Sequence, residues 1–394
     1  MKKYLIVNRG SASEKYAIYT KEKSLAFLHL EKPERGCNYV RTLYIDNKKD
    51  TKCITEKEFE DSLNYALSLF KTVGIISGRE EISGIGIRIV APGEYFQDDK
   101  IIDKKYIKEI KNILDDAPLH LLPTYDEILR LNKIFKNVPI VGVSDSDFHN
   151  TLPDRASYYG LPFEDTQKYH IKKYGYHGIS IESILNKLKT ENRTIPSKLI
   201  VCHIGSGVSV TAIKNGRSIE NSMGFTPLEG VMMATRGGDI DPGTVAFVSD
   251  KLGIKGKKLK DYLNKKCGLL GVSGKSSDVR DLIRLEKESD LRAKLALDMY
   301  VYRLQKCIGS YFVALGGLDA IVFTATVGER SFVMREKICR DLEILGIKIN
   351  IEINNKSEGV DVDISAIDSK VSVLVLKTDE MEQITRDTIR VLGF

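Results

Sequence analysis

KLIVCHIGSGVSVTAIKNGRSIE (Lys198–Glu220) reads as a strand, a small-residue turn at His203-Ile204-Gly205-Ser206-Gly207, and a second strand ending in the hairpin signal Asn215-Gly216. About two hundred residues earlier, YLIVNRGSASEKYAIYT (Tyr4–Thr20) has the same plan around Asn8-Arg9-Gly10-Ser11-Ala12-Ser13. Both turns are rich in donors to an oxyanion: hydroxyls in each, an amide in the first, and backbone N–H groups that glycine leaves accessible. Lys15, at the start of the second strand, adds a cation. Each unit opens one half of the chain, so the expectation is a duplicated fold with a ligand held between the copies.

Hairpin phosphate loops in two facing copies are the nucleotide-clasping arrangement of the actin-like and sugar-kinase-like ATPases. The expected class is therefore α/β: two actin-like, ribonuclease H-like ATPase domains, each a mixed sheet flanked by helices, with a cleft between them. A length of 394 residues suits two cores. We expect residues 1–148, completed by about 378–394, to form domain I and 149–377 to form domain II. The 60 Lys+Arg and 54 Asp+Glu leave a charge of +6 spread through helical segments, with no basic stripe interleaved with aromatics, which argues against nucleic-acid binding. The six cysteines form no CxxC pair, so neither a disulfide framework nor a zinc site is expected, and reduced thiols in a cytoplasm fit best. No run of eighteen apolar residues is present and Tyr4–Val7 is too short for a signal sequence, so neither secretion nor a membrane span is expected.

Between the two turns, residues 56–73 have helical spacing and Ile82–Val90 reads as a strand whose one cation is Arg88. That arginine either snorkels from an edge strand or faces a ligand. A short helix is expected at 107–114 and another from Tyr125 to Ile134, after APLHLLP (Ala117–Pro123). Val138–Val143 is an apolar strand ending in Ser144-Asp145-Ser146-Asp147, and carboxylates at that end of a strand sit where open α/β sheets bind ligands. Asp145 is the better candidate; Asp147 reads as a cap. HIKKYGYHGIS (His170–Ser180) leads His177 into a helix. Asp290–Leu315 is a long helix whose apolar face (Leu291, Leu295, Met299, Tyr302, Phe312) is read as core or dimer contact. GLLGVSGKSSD (Gly268–Asp278) resembles a P-loop, but Leu269 stands where the first glycine is required and no strand precedes it, so it is read as a plain loop. A strand at Asp319–Thr324, another at Val371–Leu376 and a helix from Asp379 to Leu392 complete the chain. A carboxylate of that helix either reaches a metal or favours the helix dipole.

SMGFTPLEGVMMATRGGDIDPG (Ser222–Gly243) has neither helical nor strand period. It places Arg236 before Gly237 and Gly238, beside Asp239 and Asp241. This is either a surface ion pair or an arginine presented to a migrating phosphoryl group with carboxylates near a metal's water shell. The glycines are read as letting the backbone and Arg236 approach that group.

NRGSASEK, GIRIVAPGE, APLH, SDSDFHNTLP, YGYHG, HIGSG, the whole of Ser222–Gly243, GLLGVSGKSSDVRDL, FTATVGERS and the closing ITRDT together resemble the acetate kinase family, from Asn8 to Gly393. The resemblance implies reversible, Mg²⁺-dependent transfer (Mn²⁺ also serving) of the ATP γ-phosphoryl group to acetate, giving acetyl phosphate and ADP, in a cytoplasmic homodimer. It assigns Asn8, Ser11, Ser13 and Lys15 to the first phosphate loop, with Asn8 and Glu380 near the metal. Arg88 and Arg236 bind carboxylate and phosphoryl, His177 supports the transition state, and Asp145 orients substrate or metal. Val90, Leu119, Tyr176 and Pro227 line the methyl pocket, and His203, Gly205, Ser206 and Gly207 form the second phosphate loop. Thr326, Gly328 and Glu329 lie in the nucleotide loop.

Departures from the family pattern occur on both the acceptor and the donor side. Ser206 replaces the usual Asn, Tyr176 the usual Phe, and Arg88-Ile89-Val90-Ala91-Pro92-Gly93 the usual Arg-Val-Val-His-Gly-Gly. Ala325-Thr326-Val327-Gly328-Glu329-Arg330 stands for Gly-Gly-Ile-Gly-Glu-Asn. Side chains at Ala325 and Thr326 narrow the approach of an adenosine ring, so pyrophosphate or another nucleotide is an alternative donor. Propionate is an alternative acceptor, because one methylene is worth only about 1–3 kcal/mol of discrimination. A non-catalytic ligand-binding relative is the competing reading.

Overall fold

The computed structural model describes residues 2–10, 13–33, 36–46, 48–114, 118–190 and 194–393, except for the side chains of 118–120. The chain forms two compact units, Met1–Asp147 with Asp379–Phe394, and Phe148–Thr378.

The first unit holds strands β1 (Lys3–Arg9), β2 (Ser13–Tyr19), β3 (Ser24–Glu31), β4 (Val40–Ile45), β5 (Lys48–Cys53), β6 (Ile82–Ile89), β7 (Lys100–Ile101) and β8 (Ile140–Ser144). They form one sheet in the order β5-β4-β3-β2-β1-β6-β8-β7. The second holds β9 (Lys198–Ile204), β10 (Val208–Lys214), β11 (Arg217–Asn221), β12 (Ala320–Thr324), β13 (Val362–Asp363) and β14 (Ser372–Val375), ordered β11-β10-β9-β12-β14-β13. Within both, a three-strand antiparallel meander continues into two parallel strands, as β3-β2-β1-β6-β8 and as β11-β10-β9-β12-β14. This is the ribonuclease H-like order, present twice, so the fold is a duplicated actin-like ATPase fold of mixed sheets flanked by helices.

Apolar residues of the strands meet helical faces in each unit. In the first, Leu5, Val7, Ile18, Leu28, Ile85 and Ile87 share a core with Leu63, Phe70 and Leu131. The helix Glu380–Leu392 packs on β6, where Gly86 is required: a methyl group there would collide with the Thr388 hydroxyl. In the second, Ile181, Ile184 and Leu188 pack on Val201, Ile213, Val322 and Leu376. Asn215 and Gly216 both take positive φ, 51° and 77°, the turn expected of Asn-Gly in a two-residue hairpin.

Several sequence expectations are corrected. The helix expected from Tyr125 begins at Pro118 and runs through Pro123, which forfeits a single i→i−4 bond close to the helix start. The helical stretch after Glu56 breaks at Asp61 into Glu56–Glu60 and Ser62–Thr72. The P-loop-like segment is not a loop throughout, since Gly268–Ser273 is helical. On Leu291–Leu315 the core face is Ala293, Leu297, Tyr300, Leu304, Ile308 and Leu315, whereas Leu291, Leu295 and Tyr302 are exposed. Cys37 and Cys53, expected to be unpaired, are joined as a disulfide with their Cα atoms 5.8 Å apart. Strands β4 and β5 bring Cys53 opposite Val40, a proximity that a separation of 16 residues does not announce.

Candidate active site

In the first unit, β1, β6 and β8 lie side by side, and their carboxyl ends deliver Asn8, Arg88 and Asp145. The Arg88 guanidinium meets both Asp145 oxygens at 3.0 Å, a two-pronged pair with Asp145 1% exposed. Its Nη1 lies 3.6 Å from Glu380 Oε2 and 3.5 Å from Asn8 Oδ1. Asn8 Nδ2 donates to Glu380 Oε2 at 2.7 Å. Burial disfavours the Arg88 cation, but the charges of Asp145 and Glu380 prevail and hold its pKa above the usual arginine value. Glu380 arrives from the first turn of the C-terminal helix, more than 370 positions along the chain from Asn8. Four of the sequence candidates thus form one cluster.

The turn that follows β1 closes through Gly10 N–H to Ser13 O at 2.8 Å, and Lys15 pairs with Asn8 across the β1–β2 ladder. Ser11 lies outside the described residues. Beneath the turn is a buried polar network that the sequence reading did not single out. Arg9 meets Glu14 at 2.8 Å and Glu127 at 3.1 Å, and the Tyr16 hydroxyl donates to Glu127 at 3.0 Å and lies 2.9 Å from Ser62 Oγ. Burial raises the Glu127 pKa despite Arg9 and the Tyr16 bond. Arg9 and Glu14 flank the turn in sequence, which was the available signal; Glu127 on a distant helix left none.

In the second unit His177 stands at φ 64° just before the helix Gly178–Thr190, a strained setting for a non-glycine residue. Its ring stacks on His203 with centroids 3.9 Å apart. Nδ1 of His177 lies 3.0 Å from Ser209 Oγ, and Nδ1 of His203 lies 2.8 Å from Ser180 Oγ. Each imidazole is therefore oriented by a serine hydroxyl. A Cβ placed on Gly207 would lie 3.4 Å from His177 Nε2 and 3.7 Å from Arg236 Nη1, so both polar atoms border the same space beside this turn. Arg236 Nη1 also donates to the Pro227 carbonyl at 3.0 Å. Behind His177, the buried His149 contacts the Tyr176 carbonyl through Nε2 at 3.1 Å and Ser218 Oγ through Nδ1 at 2.8 Å. Burial lowers the His149 pKa to about 4, so this ring is neutral at pH 7.

The backbone around Arg236 is fixed by packing, which corrects the role read for its glycines. Gly238, at φ 70°, lies against the Gly230 carbonyl with no room for a side chain, and Gly268, at φ 63°, lies against the Met233 and Arg236 backbone. Asp239 accepts the Gly230 N–H at 2.7 Å, and Asp241 caps the helix Pro242–Leu252 by accepting the Thr244 N–H at 2.9 Å. Both carboxylates are engaged in shaping the loop.

Among the methyl-pocket candidates, Val90 is buried in the first unit and Leu119 lies there within a helix, its side chain outside the description. Tyr176 and Pro227 are buried in the second unit, with the Tyr176 hydroxyl donating to the Phe225 carbonyl at 2.7 Å. Of the donor-side candidates, Gly205 N–H bonds to the Gly207 carbonyl at 3.0 Å, and the Ser206 carbonyl accepts the Ala234 N–H at 3.3 Å. Ala325–Arg330 is a short helix. Thr326 is exposed on it and Gly328 buried, whereas Glu329 turns inward to accept the Ala325 and Thr378 N–H groups at 3.0 and 3.1 Å. Ala325 itself adopts φ 63°. Ala325→Gly is therefore expected to raise stability by up to about 1 kcal/mol, the left-handed strain relieved less the extra freedom of glycine in the unfolded chain. Urea denaturation checks this, and a loss of stability would show that the methyl contacts outweigh the strain.

The Acetokinase family profile matches residues 3–386. The acetate kinase of Thermoanaerobacter pseudethanolicus is 40% identical over 393 residues, covering 98% of each chain. A crystal structure of Porphyromonas gingivalis acetate kinase covers 100% of both chains at 35% identity with a TM-score of 0.84. A propionate kinase from Francisella tularensis gives 0.86 at 33% identity, over 99% of this chain and 100% of that one. The chain belongs to the acetokinase family.

Proposed function

We propose that the chain transfers the γ-phosphoryl group of ATP reversibly to acetate. An acetate oxygen bonds to the γ-phosphorus as the bond to the β–γ bridging oxygen breaks, so acetyl phosphate and ADP form. The observation that carries this reading is the approach of His177 Nε2 and Arg236 Nη1 to one space beside Gly207. An imidazole and a guanidinium aimed at a glycine turn suit charge spreading over the equatorial oxygens of a migrating phosphoryl group.

In this reading Arg236 and His177 stabilise that charge, and the turns at Asn8–Lys15 and His203–Gly207 hold phosphates. Arg88, kept charged and oriented by Asp145, receives a carboxylate or phosphoryl oxygen. Val90, Leu119, Tyr176 and Pro227 contact the methyl group, and Thr326 and Gly328 lie on the nucleotide side. Among the described residues no three His, Cys, Asp or Glu side chains cluster to hold a metal. The amide of Asn8 and the carboxylate of Glu380 instead offer a sparse set of hard oxygen donors, which fits Mg²⁺ retaining most of its waters. When bound, that ion would neutralise charge on the phosphate oxygens.

Leu291, Leu295 and Tyr302, exposed along one helix, support a homodimer. No helix of the described residues is long and apolar enough to cross a membrane, and use of ATP supports a cytoplasmic location. The side chain at Ala325, buried where the family has glycine, favours comparing donors directly. Protein supplied with acetate, Mg²⁺ and ATP is expected to give hydroxylamine-trappable acyl phosphate, with propionate accepted less well. Product with pyrophosphate but not ATP would overturn the donor assignment, and no product with either would overturn catalysis.

A further inference from the structure

Asp99 belongs to none of the motifs above. It lies just before β7, and its side chain is 2% exposed while that of Asp98 beside it is 60% exposed. One oxygen accepts the Ser144 N–H at 2.7 Å. The other meets Arg390 Nη2 at 2.6 Å. Ser144 is the last residue of β8 and directly precedes Asp145. Its hydroxyl donates to the Phe96 carbonyl at 2.6 Å and accepts the Ser146 N–H at 3.1 Å. Arg390 sits near the far end of the helix whose first turn carries Glu380, and it also meets Asp387 at 3.2 Å. Asp387 is in turn held by Gln383 at 3.0 Å.

One buried carboxylate thus bonds to both elements that bring acids to Arg88: the end of β8, which presents Asp145, and the C-terminal helix, which presents Glu380. We propose that Asp99 is a positioning residue for the phosphoryl-transfer site, fixing Asp145 and Glu380 about Arg88 by tying the end of β8 to the C-terminal helix through Ser144 and Arg390. The inference rests on the function proposed above.

The surroundings give this tie a titration of its own. Asp387 and Arg390 face Asp99 from the helix, Asp147 from the turn after β8, and the Tyr106 hydroxyl from the helix Lys104–Asn112. Burial pushes the Asp99 carboxyl up to about 7, Asp387 and Asp147 adding to the effect and the Ser144 N–H and Arg390 opposing it. Between the ordinary aspartate value of about 4 and about 7 the folded protein holds a proton that the unfolded chain has released. Stability therefore falls as pH rises through this window. Asparagine at 99 removes that slope while keeping an acceptor for the Ser144 N–H.

The test uses the full chain with acetate, ATP and Mg²⁺, comparing wild type with Asp99→Asn and Arg390→Gln. Asp99→Asn is expected to lower kcat by about ten- to a hundredfold, the range for sub-ångström to ångström misplacement of catalytic groups. It should also raise the Mg²⁺ concentration for half-maximal rate several-fold, leave KM for ATP within twofold, and abolish the titration of kcat near pH 7 that is expected of the wild type. Arg390→Gln should move kcat and the Mg²⁺ requirement the same way by a smaller factor. A folded Asp99→Asn protein with wild-type kcat, Mg²⁺ requirement and pH profile overturns the proposal. So does a loss of rate with the last two unchanged, which marks a smaller active fraction only. Should Asp99→Asn fail to fold, Arg390→Gln decides by the same criteria, since its own side chain is 59% exposed. A wild type without turnover overturns the functional reading and this inference together, whereas active wild type with normal variants overturns this inference alone.

Discussion

Arg236→Ala is expected to lower kcat by about 10³- to 10⁵-fold, the range for removing an arginine that stabilises a migrating phosphoryl group, while Tm moves by no more than about 2–4 °C. The separation follows from how the residue is held. Its backbone lies against Gly268, and the neighbouring Cys267, Leu269 and Leu270 N–H groups bond to the carbonyls of Thr235, Met233 and Ala234 at 2.9 to 3.1 Å. None of these bonds involves the guanidinium, so the loop keeps its course when the side chain is cut back. The Pro227 carbonyl loses a donor at 3.0 Å, worth about 1 kcal/mol. Steady-state kinetics with differential scanning calorimetry checks both parts. Turnover within tenfold of wild type would remove Arg236 from the reaction.

The second large effect has a different signature. Arg88→Ala is expected to lose turnover by about 10³-fold or more and also about 3–5 kcal/mol of stability. Cutting away this guanidinium leaves the carboxylates of Asp145 and Glu380, 1% and 12% exposed, without the cation that each faces. Arg88→Lys should recover much of the stability and little of the rate, because an ammonium supplies the charge but not the two-pronged contact with Asp145. Equal denaturation midpoints for wild type and Arg88→Ala at pH 7 would show that the acids are neutralised by something other than Arg88.

The difference between the two arginines was not visible in the chain. Arg88 stands in the sequence between two isoleucines and Arg236 before two glycines, and both were candidates to bind carboxylate and phosphoryl. Folding gives Arg88 two acidic partners from segments 57 and 292 positions away. Arg236 donates to the Pro227 carbonyl and meets the Met233 thioether, both within nine positions. Asp239 and Asp241, the acids beside Arg236 in sequence, cap backbone N–H groups. Neighbours in sequence were poor guides to ionic partners here because a turn points successive side chains in different directions.

The sequence alone determined the duplicated strand–turn–strand units, the apolar strands that run parallel beside them and the identity of the candidate side chains, whereas β3, β4, β5, β7 and β13 were not read from it. Those features are local: short apolar runs, Asn-Gly and Gly-Ser turns, and polar residues at strand ends act over a few residues. Only the tertiary structure decided which candidates touch. The parallel alignment of β1, β6 and β8 sets Asn8, Arg88 and Asp145 at adjacent strand ends, and the return of the last helix onto Gly86 adds Glu380. The same holds for the serines behind His177 and His203, for the Cys37–Cys53 bridge and for Asp99. Each depends on register between segments far apart in the chain, and register is set by the packing of whole sheets and helices, which no short stretch of sequence contains.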